Sequence, residues 1–316
     1  MSLSDIKRFA GSIKYRAVDC WPYFMRVKKA KQAREQMRAA LDELTPVNSS
    51  VNGEPEIHML CGRRHIDMGI WASWSIMRFL DSASLYVHSD GTLEESDMRQ
   101  WRRIVPDVVL VERGQADKKV EEEIKPRWPT VSSWRSSYRT SPQLVDVQLF
   151  GRAEHVLQMD SDIICFSEPT DIKSLLSVKG EIMRWHGDAR TCYIAEPERL
   201  SEIIGAQMPL KFNCGFLYTN RLGQRHFDII EASLQKIKQD GKIELSRYWA
   251  TQTMYAVVAA FCNDAESLPG TYTVRTGPVK SETVICHYPG TPKVRPLYFL
   301  EGVQRLIDEN KLRNKS

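Results

Sequence analysis

From residue 56 onward, continuous apolar runs of strand length alternate with stretches whose apolar positions recur every three or four residues. The runs "IHMLC" (57–61), "LYVHS" (85–89) and "DVVLVE" (107–112) are separated by helical patterns near 68–80 and 93–103. A strand covered on both faces shows no polar side, so these runs predict buried strands, and the intervening helices predict βαβ units. The pattern gives an α/β fold with a mixed, mainly parallel sheet flanked by helices, whose ligands belong at the carboxyl ends of the strands. Residues 113–141 break the alternation with Lys/Glu runs, two prolines, and Trp128, Trp134 and Tyr138. That reads as a long loop serving as a lid or binding loop, with disorder as the competing reading and the tryptophans favouring binding. Beyond it the pattern predicts a helix near 141–152 and strands at "HVLQM" (155–159), "EIMRW" (181–185) and "FNCGFLY" (212–218). Helices near 222–238 and 247–260, a strand at "TVICH" (283–287) and a helix near 298–311 complete the chain.

The amino-terminal part is different. Residues 1–46 read as a basic helical extension, 47–55 as a linker within the turn-rich "TPVNSSVNGEPE" (45–56), and 56–316 as the main domain. Residues 1–38 carry ten Lys/Arg against three acidic residues and include Trp21, Tyr23 and Phe24, although the whole chain is only +4. A basic segment with aromatics can lie on anionic lipid, or it can be a solvated helix packed by its apolar side. Nucleic acid is disfavoured, because the excess charge occupies one terminal segment rather than a domain face.

An apolar fraction of 42% and a charged fraction of 27% place the chain among ordinary globular proteins and exclude disordered and collagen-like classes. Seven scattered cysteines with no CxxC pair argue against a zinc ribbon or a disulfide framework. With no secretory signal and no spanning segment, the expected location is the cytoplasm, peripheral at the inner face of a membrane if the basic segment binds lipid.

The chemistry concentrates where "HVLQM" runs into Asp160 and Asp162. Two carboxylates one residue apart repel unless water solvates both or a cation lies between them. Hard oxygen ligands suit magnesium or manganese, which keep substrate phosphate oxygens in their remaining positions. Alone the motif is weak, since 18 aspartates in this length give about one Asp-x-Asp by chance. "HYPGTPK" (287–293) is sharper: His-x-x-Gly-x-x-Lys is expected in about 0.02 copies. His287 can offer an imidazole nitrogen to a metal, Gly290 permits close backbone approach to a phosphate, and Lys293 adds a point positive charge.

These pieces resemble the GT-A fold nucleotide-sugar glycosyltransferases, in particular family 8, which includes glycogenin and bacterial lipopolysaccharide galactosyl- and glucosyltransferases. The family's order of Asp-x-Asp, Asn-x-Gly, Asp-Gln and His-x-x-Gly-x-x-Lys is matched by Asp160 and Asp162, Asn213 and Gly215, Gln252, and His287, Gly290 and Lys293. The resemblance spans roughly residues 56–300. It implies that Asp160, Asp162 and His287 hold Mn2+ (or Mg2+) on the diphosphate of a UDP-sugar, and that Asp160 also touches the ribose. Gly290 and Lys293 would bind the diphosphate, Asn213 and Gly215 would line the sugar pocket, and Gln252 would face the reactive side of the sugar.

Two departures stand out: the Asp before Gln252 is replaced by Thr251, and "KVRPLY" lacks the usual Trp. The family's donor-binding Arg has its nearest counterpart in Arg139, at a poor offset.

The implied reaction is transfer of a hexose to an acceptor hydroxyl on a carbohydrate or glycoconjugate, with retention, as in polysaccharide or lipopolysaccharide synthesis. A sugar-nucleotidyltransferase is an alternative, but "CGRRHIDMG" after the first strand has too few glycines for its phosphate cradle. A non-catalytic sugar-nucleotide-binding protein is a third reading. Trp128 and Trp134 would stack on acceptor sugars or fold the lid onto the body, and Asp90 in "HSDG" is either a nucleotide contact or a βα turn.

Overall fold

The structure is a computed structural model that describes residues 20–313, with side chains described over 25–310. Lys7, Arg8, Lys14 and Arg16 of the basic segment lie outside the described residues, as do the side chains of Trp21, Tyr23 and Phe24. The described residues form two compact units, residues 45–287 in one and the segments 20–44 and 288–313 in the other.

In the smaller unit, the helix Cys20–Ala40 buries Ala30, Ala33, Met37 and Ala40 at spacings of three and four, followed by Leu41 and Leu44. That one-sided stripe packs with Tyr298, Phe299, Val303, Leu306 and Ile307, buried residues of the carboxyl-terminal helical segment. The guanidinium of Arg34 lies 5.4 Å from the Phe299 ring centroid, and Asn310 Nδ2 donates to the carbonyl of Glu43 at 3.4 Å. Arg26, Lys28, Lys29, Lys31 and Arg38 remain exposed.

The larger unit is built on one sheet. Its strands are β1 (Glu56–Cys61), β2 (Ser84–Ser89), β3 (Val109–Val111), β4 (His155–Met159) and β5 (Ile163–Cys165) in the first half. The second half supplies β6 (Ile182–Gly187), β7 (Phe212–Asn220), β8 (Asp264–Ser267), β9 (Tyr272–Val274) and β10 (Ile285–His287). The order is β3-β2-β1-β4-β7-β6-β9-β10-β5, with β8 beside β6. The pairs β1/β2, β2/β3 and β1/β4 are parallel, whereas β7 runs antiparallel to β4 and β6, and β10 antiparallel to β5. This is the mixed, mainly parallel sheet the sequence predicts.

The turn-rich stretch before β1 is not a free linker. Val47 N–H bonds to the carbonyl of Ile104 at 2.9 Å, Ser50 N–H to Ala83 at 3.2 Å, and the Ser84 hydroxyl to Gly53 at 2.9 Å. These bonds lay it along the body, with Val47 buried.

Residues 113–141 are helical rather than a loop, with helices Arg113–Lys119 and Pro129–Ser137 joined through a helical turn at Val120–Ile124. Their apolar positions Val120, Ile124, Trp128, Val131 and Trp134 follow helical spacing and are all buried. Trp128 packs on Phe227 and donates its indole N–H to Asp228 at 2.7 Å. Glu231 accepts the Thr130 and Val131 N–H groups at 3.0 and 2.8 Å, satisfying free donors at the second helix's start. The exposed charges disguised a helix whose tryptophans serve the core, so neither Trp128 nor Trp134 is a sugar-stacking surface. The helix expected over 141–152 shrinks to Pro142–Val145 and a following turn to Gln148.

Candidate active site

Strand pairing assembles the site. β4 ends at Met159, and Asp160, Ser161 and Asp162 turn directly into β5. Because β10 runs antiparallel to β5 with His287 opposite Ile163, the imidazole arrives beside Asp162. His287 Nε2 lies 3.1 Å from Asp162 Oδ1 and 3.8 Å from Asp160 Oδ2. One ligand atom from each of these three residues falls within 4.8 Å of the others.

β7 closes the opposite side. Asp160 N–H donates to the Gly215 carbonyl at 2.7 Å, continuing the β4/β7 pairing past Met159. Between Trp185 and His186 the β6/β7 register jumps from Leu217 to Asn213, so residues 214–216 bulge. A β-carbon on Gly215 would lie only 2.5 Å from Cε1 of His287, so the missing side chain is what admits the ring. Asn213 Oδ1 accepts the Gly215 N–H at 2.9 Å, and its Nδ2 donates to Asp188 Oδ2 at 2.8 Å. Gln252 is buried on the helix Ala250–Ala260, accepting the Cys214 N–H at 3.4 Å and donating to the Cys192 carbonyl at 2.7 Å. It ties together the backbone at Cys192 and at Cys214, the residue after Asn213. Thr251, in place of the family aspartate, is buried and shares a 2.9 Å hydrogen bond with the hydroxyl of Thr140.

Three participants escaped the sequence reading. Gln143 Nε2 donates to Asp160 Oδ1 at 2.6 Å. Asp188 follows β6 directly, and its place at a strand end was the available signal. His186 has no such signal, because its partner lies 101 residues away. Its Nδ1 faces the Phe216 carbonyl at 3.2 Å and must donate, since the carbonyl can only accept; its Nε2 then accepts from His287 Nδ1, also at 3.2 Å. That chain fixes the proton of His287 on Nδ1 and turns Nε2 toward the carboxylates. Burial first, and the charge of His287 second, push His186 down to about 3, so it stays neutral. Arg139 is exposed, and Asp90 hydrogen-bonds to Thr92 Oγ1 at 2.6 Å and to its backbone N–H at 3.0 Å, as a βα turn requires.

The three side chains interact electrostatically. Desolvation, and then the charge of Asp162, push Asp160 up to about 6. Burial alone would lower His287, but the charge and hydrogen bond of Asp162 outweigh it and raise the imidazolium. Two carboxylates and an imidazole oriented by a neighbour suit a divalent ion such as manganese or magnesium, and Gly215 leaves the ring the space it needs.

Gly290 and Lys293 follow His287 by three and six residues and belong to the smaller unit. There, Arg295 N–H bonds to the carbonyl of Thr291 at 2.9 Å, Lys293 is exposed, and a β-carbon on Gly290 would meet Arg295 Nη2 at 2.8 Å. The structure thus gathers Asp160, Asp162, His287, Asn213, Gly215 and Gln252 in the larger unit and leaves Gly290 and Lys293 in the other.

Comparison of the sequence with protein-family models and with curated proteins gives no match. Comparison of the fold with solved structures does. Mouse xyloside xylosyltransferase 1, in its apo form, superposes with a TM-score of 0.52 at 11% identity, over 73% of this chain and 96% of that one. The galactosyltransferase LgtC, in complex with donor and acceptor sugar analogs, gives 0.52 at 12% identity, over 79% and 94%. The chain has the GT-A glycosyltransferase fold. The bifunctional glycosyltransferase WbbM matches the same GT-A core with a TM-score of 0.51 at 16% identity, over 84% of this chain and 53% of its own. In this GT-A chain the acidic turn follows β4, beside β1, the strand from which the order runs to β2 and β3 on the other side. That reversal is the switch point where open α/β sheets take nucleotides.

Proposed function

We propose that the protein is a metal-dependent glycosyltransferase that moves a hexose from a UDP-sugar to an acceptor hydroxyl with retention of configuration, in the synthesis of a polysaccharide or lipopolysaccharide glycan. The observation that carries this reading is the convergence of Asp160, Asp162 and His287 at the switch point of the sheet. A bound Mn2+ would supply positive charge against the negative charge that builds on the diphosphate as the sugar–phosphate bond breaks.

The chain's own residues set up the rest. Gln143 orients Asp160, and His186 orients His287. Asn213, held by Asp188, presents the sugar pocket together with Gly215. Gln252 holds the backbone at Cys192 and Cys214, and as a neutral amide it is no strong nucleophile. As the family resemblance implies, the acceptor oxygen bonds to the anomeric carbon on the face the diphosphate leaves, and its proton passes to the departing phosphate oxygen. By sequence resemblance, Gly290 and Lys293 contribute to diphosphate binding. The exposed basic residues of the helix Cys20–Ala40 fit a peripheral contact with anionic lipid, measurable as co-sedimentation with phosphatidylserine but not phosphatidylcholine vesicles.

Calorimetric titration of UDP, first with Mn2+ and then with excess EDTA, tests the donor assignment. Binding that requires the metal and disappears in Asp162→Asn supports it. A folded protein that binds UDP under neither condition would remove UDP-sugars and leave other nucleotide donors such as GDP-sugars.

A further inference from the structure

Six large apolar side chains are exposed among the described residues. Met25, Val51, Val178 and Leu210 are scattered aliphatics, of the kind any surface carries. Tyr248 and Trp249 are consecutive, 79% and 38% exposed, and sit on the turn that leads into the helix carrying Gln252.

Their main chain is pinned although their rings are not. The Tyr248 carbonyl accepts the hydroxyl of Tyr138 at 2.5 Å, and the Trp249 carbonyl accepts both the N–H and the hydroxyl of Thr253 at 2.8 Å. Arg247, just before them, donates to the carbonyl of Ile194 at 3.3 Å. The rings meet edge to face, with centroids 6.1 Å apart and planes at 81°. Aromatic area on a fixed turn is an arrangement that binds with little loss of conformational freedom.

The same turn is tied to the metal cluster. Residues 138–143 run from Tyr138 at the Tyr248 carbonyl, through Thr140 on Thr251, to Gln143 on Asp160.

We infer that Tyr248 and Trp249 form an acceptor subsite on which a pyranose ring stacks next to the donor sugar. The face of a pyranose carries axial C–H bonds with slightly positive hydrogens, which match the negative face of an aromatic ring. One ring supports the sugar, and the other, nearly perpendicular, bounds it at the side. This assignment rests on the glycosyltransferase reading for its position beside a donor, and on the exposed aromatics for the site itself.

The test uses the full chain with the methyl pyranosides of glucose, galactose, mannose and xylose, observed by saturation-transfer NMR with and without UDP and Mn2+. At least one glycoside is expected to bind, with affinity falling tenfold or more in Tyr248→Ala and Trp249→Ala. Tyr248→Phe, which keeps the ring, retains binding, and Val51→Ala serves as the exposed-residue control. Binding that persists in the Tyr248→Ala/Trp249→Ala double variant overturns the inference, as does no glycoside binding by a protein that binds UDP with Mn2+. If UDP fails to bind while glycosides bind through these two rings, the donor reading falls and the sugar subsite stands.

Discussion

Replacing Gly215 with alanine isolates one contact on which the proposed metal site depends. The new β-carbon would lie 2.5 Å from Cε1 and 2.7 Å from Nδ1 of His287, and 3.1 Å from Oδ1 of Asn213. Gly215 is not in the left-handed region, so the methyl adds no backbone strain and acts by contact alone. Ordinary contact begins near 3.4 Å, so the ring must retreat by nearly an ångström. His287 is buried and packed edge-on against His186, with ring centroids 5.2 Å apart. A retreat of that size breaks the hydrogen bond to His186 or carries Nε2 off line, where metal ligands tolerate a misplacement of about 0.2 Å. Loss of an orienting partner costs about 10- to 100-fold in metal affinity, and overpacking costs about 1–3 kcal/mol of stability. The assay is Mn2+ titration by calorimetry, paired with chemical unfolding. In a His287→Ala background the clash is gone, so the alanine should cost far less stability than it does in the wild type. Manganese affinity within twofold of wild type in Gly215→Ala, alongside abolished binding in Asp162→Asn, would refute the reasoning.

Other expectations follow from the same contacts. The raised values of Asp160 and His287 mean that their protons stabilise the metal-free fold at low pH, and that this contribution is lost as pH rises through about 6 and above. Manganese must displace those protons, so its thermal shift should be small at pH 5 and several degrees at pH 8; an equal or larger shift at pH 5 counts against the cluster. His186→Phe keeps the volume but removes the acceptor for His287 Nδ1, and should weaken Mn2+ binding about tenfold while leaving the unfolding midpoint in urea within about 1 M of wild type. Glu56 is buried, accepts the N–H groups of Arg152 and Ala153 at 2.6 and 2.8 Å, and pairs with Arg221. Glu56→Ala leaves that guanidinium uncompensated and should cost about 3–5 kcal/mol in urea unfolding; a loss under 1 kcal/mol shows the pair to be dispensable.

The sheet was legible where burial erased polarity. β1, β2, β4, β7 and β10 are runs without a solvent face, and they fall within a few residues of their predicted positions. β5, β8 and β9 were not predicted: β8 is mostly exposed and shows no apolar run, and β5 follows the acidic turn after β4 with no helix between them to set it apart. Residues 113–141 misled because their Lys and Glu residues line the outside of helices whose inner positions are only every third or fourth residue. At the site, His287 could be picked out by the unusual spacing of His-x-x-Gly-x-x-Lys, and Asp160 and Asp162 by their place at the end of an apolar run. Gln143 and His186 could not, because each becomes meaningful only through a partner 17 or 101 residues away, and Asp188 had only its place after β6 to mark it. The exposed pair Tyr248 and Trp249 was equally hidden, since the sequence does not tell which aromatic side chains a core will absorb.

The central claim is that Asp160, Asp162 and His287 hold a divalent ion on a nucleoside diphosphate. Anomalous diffraction from crystals grown with MnCl2 and UDP addresses it most directly. The account predicts one manganese peak about 2.1 Å from a carboxylate oxygen of each aspartate and from Nε2 of His287, with diphosphate oxygens completing the shell. UDP bound elsewhere, or manganese bound without any of these three residues, would contradict it.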